Sequence, residues 1–272
     1  MRSELTRHAL RLGPFGRRMH WLETATSTND VAARLADVGA EEGTTVVAEA
    51  QTSGRGRMGR AWFSPPGAGL YVSIVLRPGD SSMAQGFSPG SPAFPLLTLA
   101  AGVALAEGIE ASTGLPAEIK WPNDLLVGRR KVAGILAEAA AQGGNLEFVI
   151  LGFGVNLRPA AYPPELAERA TSIEAELNRP ADRAMMLAEI LSALASRCAD
   201  LRQGRFDAIL GAWRQRARSL RGALVEWDTP RGVQRGRAED IDATGALLVQ
   251  PLGPLGANGR TERLIAGEVR WI

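Results

Sequence analysis

Between two β-patterned runs, Thr44–Ala50 and Leu70–Arg77, the chain carries Gly54-Arg55-Gly56-Arg57-Met58-Gly59 and then Arg60-Ala61-Trp62-Phe63-Ser64-Pro65-Pro66. The glycine spacing is G-x-G-x-x-G after a strand, the pattern of a dinucleotide-binding crossover, in which the third glycine must open a helix. The residues after Gly59 run into two prolines and cannot propagate one. No βαβ unit with a suitably spaced acidic residue follows. A P-loop fails as well, because no lysine follows the glycines, and the kinase signatures are absent. The two strands are therefore joined by an irregular loop. With strands and helices in uneven order elsewhere, the pattern favours an α+β fold, a mixed β-sheet flanked by helices, over a doubly wound parallel sheet.

The other elements follow from periodicity. Residues 1–20 read as a short basic lead-in. Thr26-Ser27-Thr28-Asn29-Asp30 is a run of N-cap residues, with Ser27 and Asp30 at capping-box-like spacing. The stretch behind it, with Val31, Leu35 and Val38 at helical spacing, predicts a short helix ending near Gly39. Residues 79–92 are Gly/Ser/Pro-rich and predict a mobile insertion. Phe94–Ser112 predicts a buried helix stopped by Gly114. Short strands are expected at 117–121 and 124–127, then a Gly128-Arg129-Arg130 turn and a strand from Lys131 to about Ala139. Gln142-Gly143-Gly144-Asn145 predicts a hairpin turn into a strand over Leu146–Leu157. Arg158–Ser172 reads as a proline-containing loop. Two helices follow, one capped at Asp182 with Leu187, Ile190, Leu191 and Leu194 inward, the other over Phe206–Leu220. Beyond Arg221 short strands and glycine turns predict a small β-barrel. The expected division is thus 1–20, 21–220 and 221–272.

Composition excludes several classes. The one cysteine, Cys198, rules out an internal disulfide framework, and with two histidines no zinc or iron–sulfur site is plausible. The pI near 9.1 accompanies a formal net charge of only +2, so it says little about a nucleic-acid partner. The most apolar stretch, Phe94 to Ile109, reads as too short to span a bilayer and contains Glu107. No signal-peptide core precedes it, so a soluble, cytoplasmic protein without membrane contact is the expectation. Of the 31 basic residues, 29 are arginine; the two lysines, Lys120 and Lys131, fall in one segment.

Two segments carry chemistry. In the glycine loop, backbone amides can approach an anion closely, and Arg55, Arg57 and Arg60 add three forked cations. That suits a phosphate or a carboxylate; a solvated basic turn or an RGG-like nucleic-acid contact remains open from the loop alone. In Lys120-Trp121-Pro122-Asn123-Asp124, Pro122 fixes a turn that presents Asn123 and Asp124. Asp124 is a candidate Mg2+ ligand or charge partner. Lys131-Val132-Ala133-Gly134-Ile135-Leu136 opens the next strand. Taken singly, either lysine reads as a surface residue. In a chain that otherwise uses arginine, a compact ammonium suggests a tight site where a planar guanidinium does not fit.

Together these segments resemble the catalytic domain of the biotin protein ligases. The residues that carry the likeness are Ser27-Thr28-Asn29, Ala48 through Trp62, Lys120 through Asp124, Lys131 through Leu136, and Gly152-Phe153-Gly154-Val155-Asn156, in the family's order. Gly236–Gly245 and Gly267-Glu268-Val269 resemble its small SH3-like barrel. The resemblance implies a fold like that of class II aminoacyl-tRNA synthetases. It implies biotin, ATP and Mg2+ as reactants, and a two-step reaction through biotinyl-5′-AMP. The acceptor is a lysine of the biotin carboxyl carrier protein or domain of acetyl-CoA carboxylase or a related carboxylase. Lys131, Arg57 and Arg55 become the catalytic candidates. Ser27, Thr28, Asn29, Gln51, Gly54, Gly56 and Gly134, with those three, become the biotin contacts. Arg57, Arg60, Trp62, Lys120, Asn123, Asp124 and Asn156 fall to ATP and the adenylate. Ser27 and Thr28 also read as plain helix caps, and Trp62 and Trp121 as core.

The nearest alternative is lipoate or octanoate transfer on the same fold; an alternative of another class is a nucleic-acid-binding module built on the glycine/arginine loop. Some members of the family carry an N-terminal winged helix-turn-helix. Here the motifs begin about 26 residues in, so neither that domain nor DNA binding is expected. A homodimer is compatible with the sequence.

Overall fold

The computed structural model describes residues 2–77, 93–142, 145–160, 162–230, 232–252, 261–265 and 267–272. The stretch expected to be a mobile insertion, and the middle of the expected 142–145 turn, lie outside them. The main sheet has seven strands: β1 (Arg18–Ala25), β2 (Thr44–Gln51), β3 (Gly69–Leu76), β4 (Glu118–Lys120), β5 (Asp124–Val127), β6 (Arg130–Gln142) and β7 (Asn145–Asn156), in the order β1-β2-β3-β7-β6-β5-β4. Strands β1 and β2 are parallel and every other pair is antiparallel, so the sheet is mixed, as expected for α+β.

The two faces of the sheet are used differently. Helices α3 (Ala93–Thr113) and α6 (Arg183–Arg202) pack together on one face. Helix α3 is apolar nearly all round because it is enclosed on all sides, by the sheet and by α6 with α7 (Phe206–Arg216). Its Pro95–Thr113 stretch is longer than the span expected from the sequence and is apolar enough to cross a membrane by length and composition; 72% of it lies inside the fold. Helix α6 is capped by Asp182, whose Oδ1 accepts from Ala184 N and Met185 N at 2.9 Å each. Its Leu187, Ile190, Leu191 and Leu194 are fully buried, as the spacing predicts.

Helix α2 (Thr28–Asp37) covers the other face, against Val46, Val75, Phe148 and Ile150. Val31 and Leu35, the first two residues of the helical spacing, pack against this cluster half-buried, and Val38 lies past the last turn. Ala32 and Ala36 are buried while Val38 is 82% exposed, because small side chains let the helix approach the sheet closely. Ser27 sits at the N-cap position but makes no capping hydrogen bond through its side chain, so the capping-box expectation fails.

Three further differences are local. The segment read as a lead-in holds the short helix α1 (Arg2–Leu5) and the start of strand β1; Leu5, Leu12 and Phe15 are buried in the main core. The expected loop 158–172 contains the short helix α4 (Pro164–Ala167), and α5 (Ile173–Leu177) follows it at once. Helix α7 stops at Arg216, four residues early, where Ala217 N closes the last turn on Trp213 O.

Strands β8 (Leu224–Thr229), β9 (Gly232–Ile241), β10 (Leu247–Pro251), β11 (Glu262–Leu264) and β12 (Val269–Trp271) form a separate antiparallel sheet, ordered β11-β10-β9-β8-β12. It docks on the larger unit through Trp121, whose Nε1 donates to Gly245 O at 3.0 Å, and through the Arg214–Asp240 pair at 2.8 Å.

Candidate active site

Strand register assembles the site. Lys120 pairs with Asp124, Asp124 with Gly134, Gly134 with Gly154, and Gly154 with Tyr71. Directly paired residues point to the same face of a sheet. This row therefore crosses β4, β5, β6, β7 and β3 on the face that α2 only partly covers. A parallel row, Leu136–Gly152–Ser73, lies two residues along. A cavity of about 650 Å3 opens over these rows, lined from Gln51 on β2 to Lys120 on β4 and closed at one side by Glu268 and Trp271 of the small sheet.

Glycine is needed in the floor because other side chains lie directly on it. A Cβ on Gly154 would come within 2.4 Å of the Trp62 indole, and one on Gly134 within 2.9 Å of the same ring. Trp62 thus lies flat across β6 and β7. Lys131 Nζ sits 5.1 Å from the centroid of that ring and 2.6 Å from Asp124 Oδ1. The strand bulge between Leu125 and Leu126 shifts Lys131 opposite Leu126.

At the β2 end the side chains are polar and buried. Ser27, Thr28 and Asn29 are each at most 5% exposed. Gln51 Oε1 accepts from Thr28 N at 2.8 Å and Thr28 Oγ1 at 3.2 Å, while its Nε2 donates to Ser64 Oγ at 2.8 Å. Ser73 Oγ lies 2.5 Å from Asn29 Oδ1, and Asn29 Nδ2 donates to Glu138 Oε2 at 2.5 Å. The Asn29 amide is thereby engaged within the fold, whereas the Ser27 hydroxyl and one Gln51 N–H face the cavity wall uncommitted among the described residues.

The arginines divide into two sets. Arg55 is held between Asp30 and Glu138, and Arg60 pairs with Glu268 across to the small sheet. Burial opposes the charge on Arg55, but Glu138 and Asp30 outweigh it and raise its pKa. Arg57 has no carboxylate partner among the described residues; its Nη1 donates to Asn123 Oδ1 at 3.2 Å, and desolvation lowers its pKa. Asn123 Nδ2 in turn donates to Ile135 O at 2.8 Å, which fixes the Asn123-Asp124 turn. Lys120 is half-buried with its Nζ 5.7 Å from the Trp271 ring, and desolvation lowers its pKa against the opposing charge of Asp124.

Several lining residues are not marked by any motif in the sequence. Arg129 and Arg169 are exposed at the cavity and have no carboxylate partner among the described residues. Phe63 and Tyr162 form a tilted ring pair at 5.9 Å. Arg169 and Ala170 are brought in by a short parallel bridge from Ala170 to Lys131, with Asn156 Nδ2 donating to Thr171 O at 3.0 Å. A basic residue inside a proline-rich stretch gives no periodic signal, and only the bridge shows its place. Trp121 proves to be core, 3% exposed, although one edge reaches the cavity.

No group of three or more His, Cys, Asp or Glu side chains that could hold a metal occurs among the described residues. Of the carboxylates that line the cavity, Asp124 is already paired with Lys131, Glu268 with Arg60 and Glu226 with Arg235. These donors do not make a protein-held metal centre; they fit only an ion that arrives on phosphate oxygens.

A polar pocket at one end of a glycine-floored trough and unneutralised cations at the other define a protein that holds a hydrogen-bonding small molecule beside a polyanion. The sequence profile of the Biotin/lipoate A/B protein ligase family matches residues 21–156. The chain is 36% identical over 246 residues to the Bifunctional ligase/repressor BirA of Bacillus subtilis (strain 168), covering 90% of this chain and 73% of the relative. It is 34% identical over 252 residues to the Biotin--[acetyl-CoA-carboxylase] ligase of Mycobacterium tuberculosis, covering 91% and 86%. The solved biotin protein ligase of Aquifex aeolicus in complex with biotin and ATP superimposes with a TM-score of 0.74 at 26% identity, over 94% of this chain and 99% of that one. The chain belongs to the biotin protein ligases of this family.

Proposed function

We infer that the chain is an ATP-dependent biotin–protein ligase that joins biotin to ATP as biotinyl-5′-AMP, with loss of pyrophosphate, and passes the biotinyl group to a lysine of a carboxylase's biotin carboxyl carrier domain. The observation that carries this is the single trough with buried hydrogen-bonding side chains at one end and Lys131, Arg57 and Lys120 at the other. In the first step a carboxylate oxygen attacks the α-phosphorus of a polyanion. Holding like charges in line and neutralising them supplies most of the catalysis, without a nucleophilic side chain.

Ser27, Thr28 and Gln51 hold the ureido ring of biotin, with Asn29 as the strut that fixes them through Ser73 and Glu138. Of the three expected glycine contacts, Gly56 leaves the loop backbone open at the cavity, Gly134 makes room for Trp62 and Lys131, and Gly54 packs against Trp62 O, Ser64 and Gln51 outside the cavity lining. Lys131 bridges the biotin carboxylate and the α-phosphate. Arg57, Lys120 and Asn123 take the phosphates, Arg60 fixes the loop to the small sheet through Glu268, and Trp62 and Asn156 wall the adenylate. Arg55, pinned by two carboxylates, orders the loop more than it clamps a ligand. Magnesium enters on ATP, and Asp124 reaches it only by releasing Lys131. Residues up to 220, with Leu5, Leu12, Phe15 and the start of β1 in its core and sheet, form the catalytic unit, and 221–272 a barrel that completes one wall.

The test is biotin-dependent exchange of labelled pyrophosphate into ATP, beside lipoate and octanoate. Biotin should support exchange by at least about 100-fold over either, because buried polar groups built for a ureido ring are left unpaired by an apolar tail. Equal exchange with lipoate would replace biotin as the substrate. A nucleic-acid module is disfavoured by the loop itself, since Arg55 and Arg60 are neutralised within the fold.

Lys120 also sets a pH dependence. Its lowered pKa means that the charge is complete below that pKa and is lost as pH rises through it, sooner than for an ordinary lysine. The KM for ATP should therefore climb on the alkaline side before the KM for biotin does, and parallel profiles would show that Lys120 does not serve the nucleotide.

A further inference from the structure

Two cations at the cavity have no task in the scheme above, Arg129 and Arg169. The backbone fixes Arg169 beside Lys131: Lys131 N donates to Arg169 O at 2.7 Å, and Thr171 N donates to Lys131 O at 2.9 Å. Arg169, Lys131 and Arg60 all act on the Lys120 ammonium as like charges, with Asp124 opposing them. Arg129 joins this end from the turn between β5 and β6. Both arginines are exposed and lack a carboxylate partner among the described residues, although Glu165 lines the same cavity. Other arginines of the same two segments are neutralised on α5, Arg130 by Glu176 at 2.6 Å and Arg158 by Glu174 at 3.8 Å. The two at the cavity are left charged where cations already crowd, an arrangement that only an anion relieves.

We infer that Arg169 and Arg129 bind the β- and γ-phosphates of ATP and hold the departing pyrophosphate. The inference rests on the ligase function proposed above and adds two residues to it. Near neutral pH, Mg·ATP and a biotin carboxylate together bring roughly three negative charges. Within the trough Lys131 is offset by Asp124, Arg60 by Glu268, and Arg55 by Asp30 and Glu138. Arg57 and Lys120 remain, and they fall short of that total; Arg129 and Arg169 supply the rest. In the first step a biotin carboxylate oxygen attacks the α-phosphorus, and the bond from that phosphorus to the oxygen bridging to the β-phosphate breaks. The electron pair leaves with pyrophosphate. Attack is in line, so the leaving group points away from the polar end and toward the cations. Negative charge grows on it as the bond breaks, and forked guanidiniums are suited to meet that charge.

The experiment compares the full chain with Arg169→Gln, Arg129→Gln and the double variant, all at exposed positions. Binding of pyrophosphate with magnesium is measured by calorimetry, and KM values by pyrophosphate exchange. Transfer from synthetic biotinyl-5′-AMP to a biotin carboxyl carrier domain is measured separately. Each single variant should weaken pyrophosphate binding and raise the KM for ATP about fivefold, and the double variant about 20-fold. The KM for biotin and the rate of transfer from the synthetic adenylate should stay within about twofold of the parent, since neither compound carries β- and γ-phosphates. Unchanged pyrophosphate binding in the double variant would overturn the inference. So would slower transfer from the synthetic adenylate, which would assign the arginines to an acidic face of the carrier. Absence of biotin-dependent exchange in the parent would instead refute the ligase function, and calorimetry would still decide whether the arginines bind a polyphosphate.

Discussion

Lys131→Arg is expected to lower biotin-dependent pyrophosphate exchange by at least about 100-fold while leaving the fold intact. The ammonium occupies a slot between Asp124 Oδ1, at 2.6 Å, and the Trp62 ring, at 5.1 Å, above Gly134. A Cβ on Gly134 would come within 3.2 Å of Nζ, so the slot has no spare width for a planar guanidinium. Arginine keeps the charge but cannot deliver a compact donor to two anions at once. Hydrogen bonds to charged groups are worth about 1.5–3 kcal/mol each, and losing two of them accounts for two decades or more. Exchange within threefold of the parent would remove Lys131 from the chemistry. A variant that loses kcat while its thermal midpoint stays put would place the loss in the reaction and not in folding.

Gly152→Ala should damage biotin recognition more than nucleotide binding. The added Cβ would fall 2.0 Å from Asn29 Oδ1, an atom that already lies 2.5 Å from Ser73 Oγ. Asn29 cannot yield without also releasing Glu138, which it holds at 2.5 Å and which in turn pins Arg55. Leaving a buried polar group unpaired costs about 1–3 kcal/mol. A KM for biotin raised about 10- to 100-fold, with the KM for ATP within a few-fold of the parent, is the expected split. An equal rise in both would show that the network supports the whole trough and not the polar end alone. Stability should fall by a similar amount, read as a lower denaturation midpoint, since Ser73 and Asn29 are both buried.

These two sites show how far the sequence reaches. Lys131 is singled out by composition and by its motif, two features of the chain that need no coordinates. Gly152 appears only as part of a motif, because nothing in the sequence says that a side chain from residue 29 will rest on it. The same division holds for the arginines. Arg55, Arg57 and Arg60 are equivalent in the sequence, three cations in one loop. Tertiary contacts separate them: two acquire carboxylates from α2, β6 and the small sheet, and Arg57 alone keeps its charge free for a ligand among the described residues.

Local structure is legible where the pattern is strong. The buried strands β2, β3, β6 and β7 are found to within a few residues, and α6 has its cap and its apolar face where they are expected. Strand β1, Arg-Met-His-Trp-Leu-Glu-Thr-Ala, is not legible. It is an edge strand with one neighbour, and its alternation, with Met19 and Trp21 on the core and Arg18 and His20 exposed, stops at Leu22, too short to stand out from a basic lead-in. The inward face of α2 is half legible: Val31 and Leu35 pack on the sheet at helical spacing, whereas the buried Thr28, Asn29, Ala32 and Ala36 carry little hydrophobic signal.

By itself, then, the sequence determined the fold class, because prolines after the glycine loop bar a helix there and leave a mixed sheet. It also determined which residue types gather near a polyanion. Only the tertiary structure decided which of them face one another. Lys120, Asp124, Gly134 and Gly154 become a single row through strand register, an alignment of backbone hydrogen bonds between segments up to 34 positions apart that no local pattern encodes.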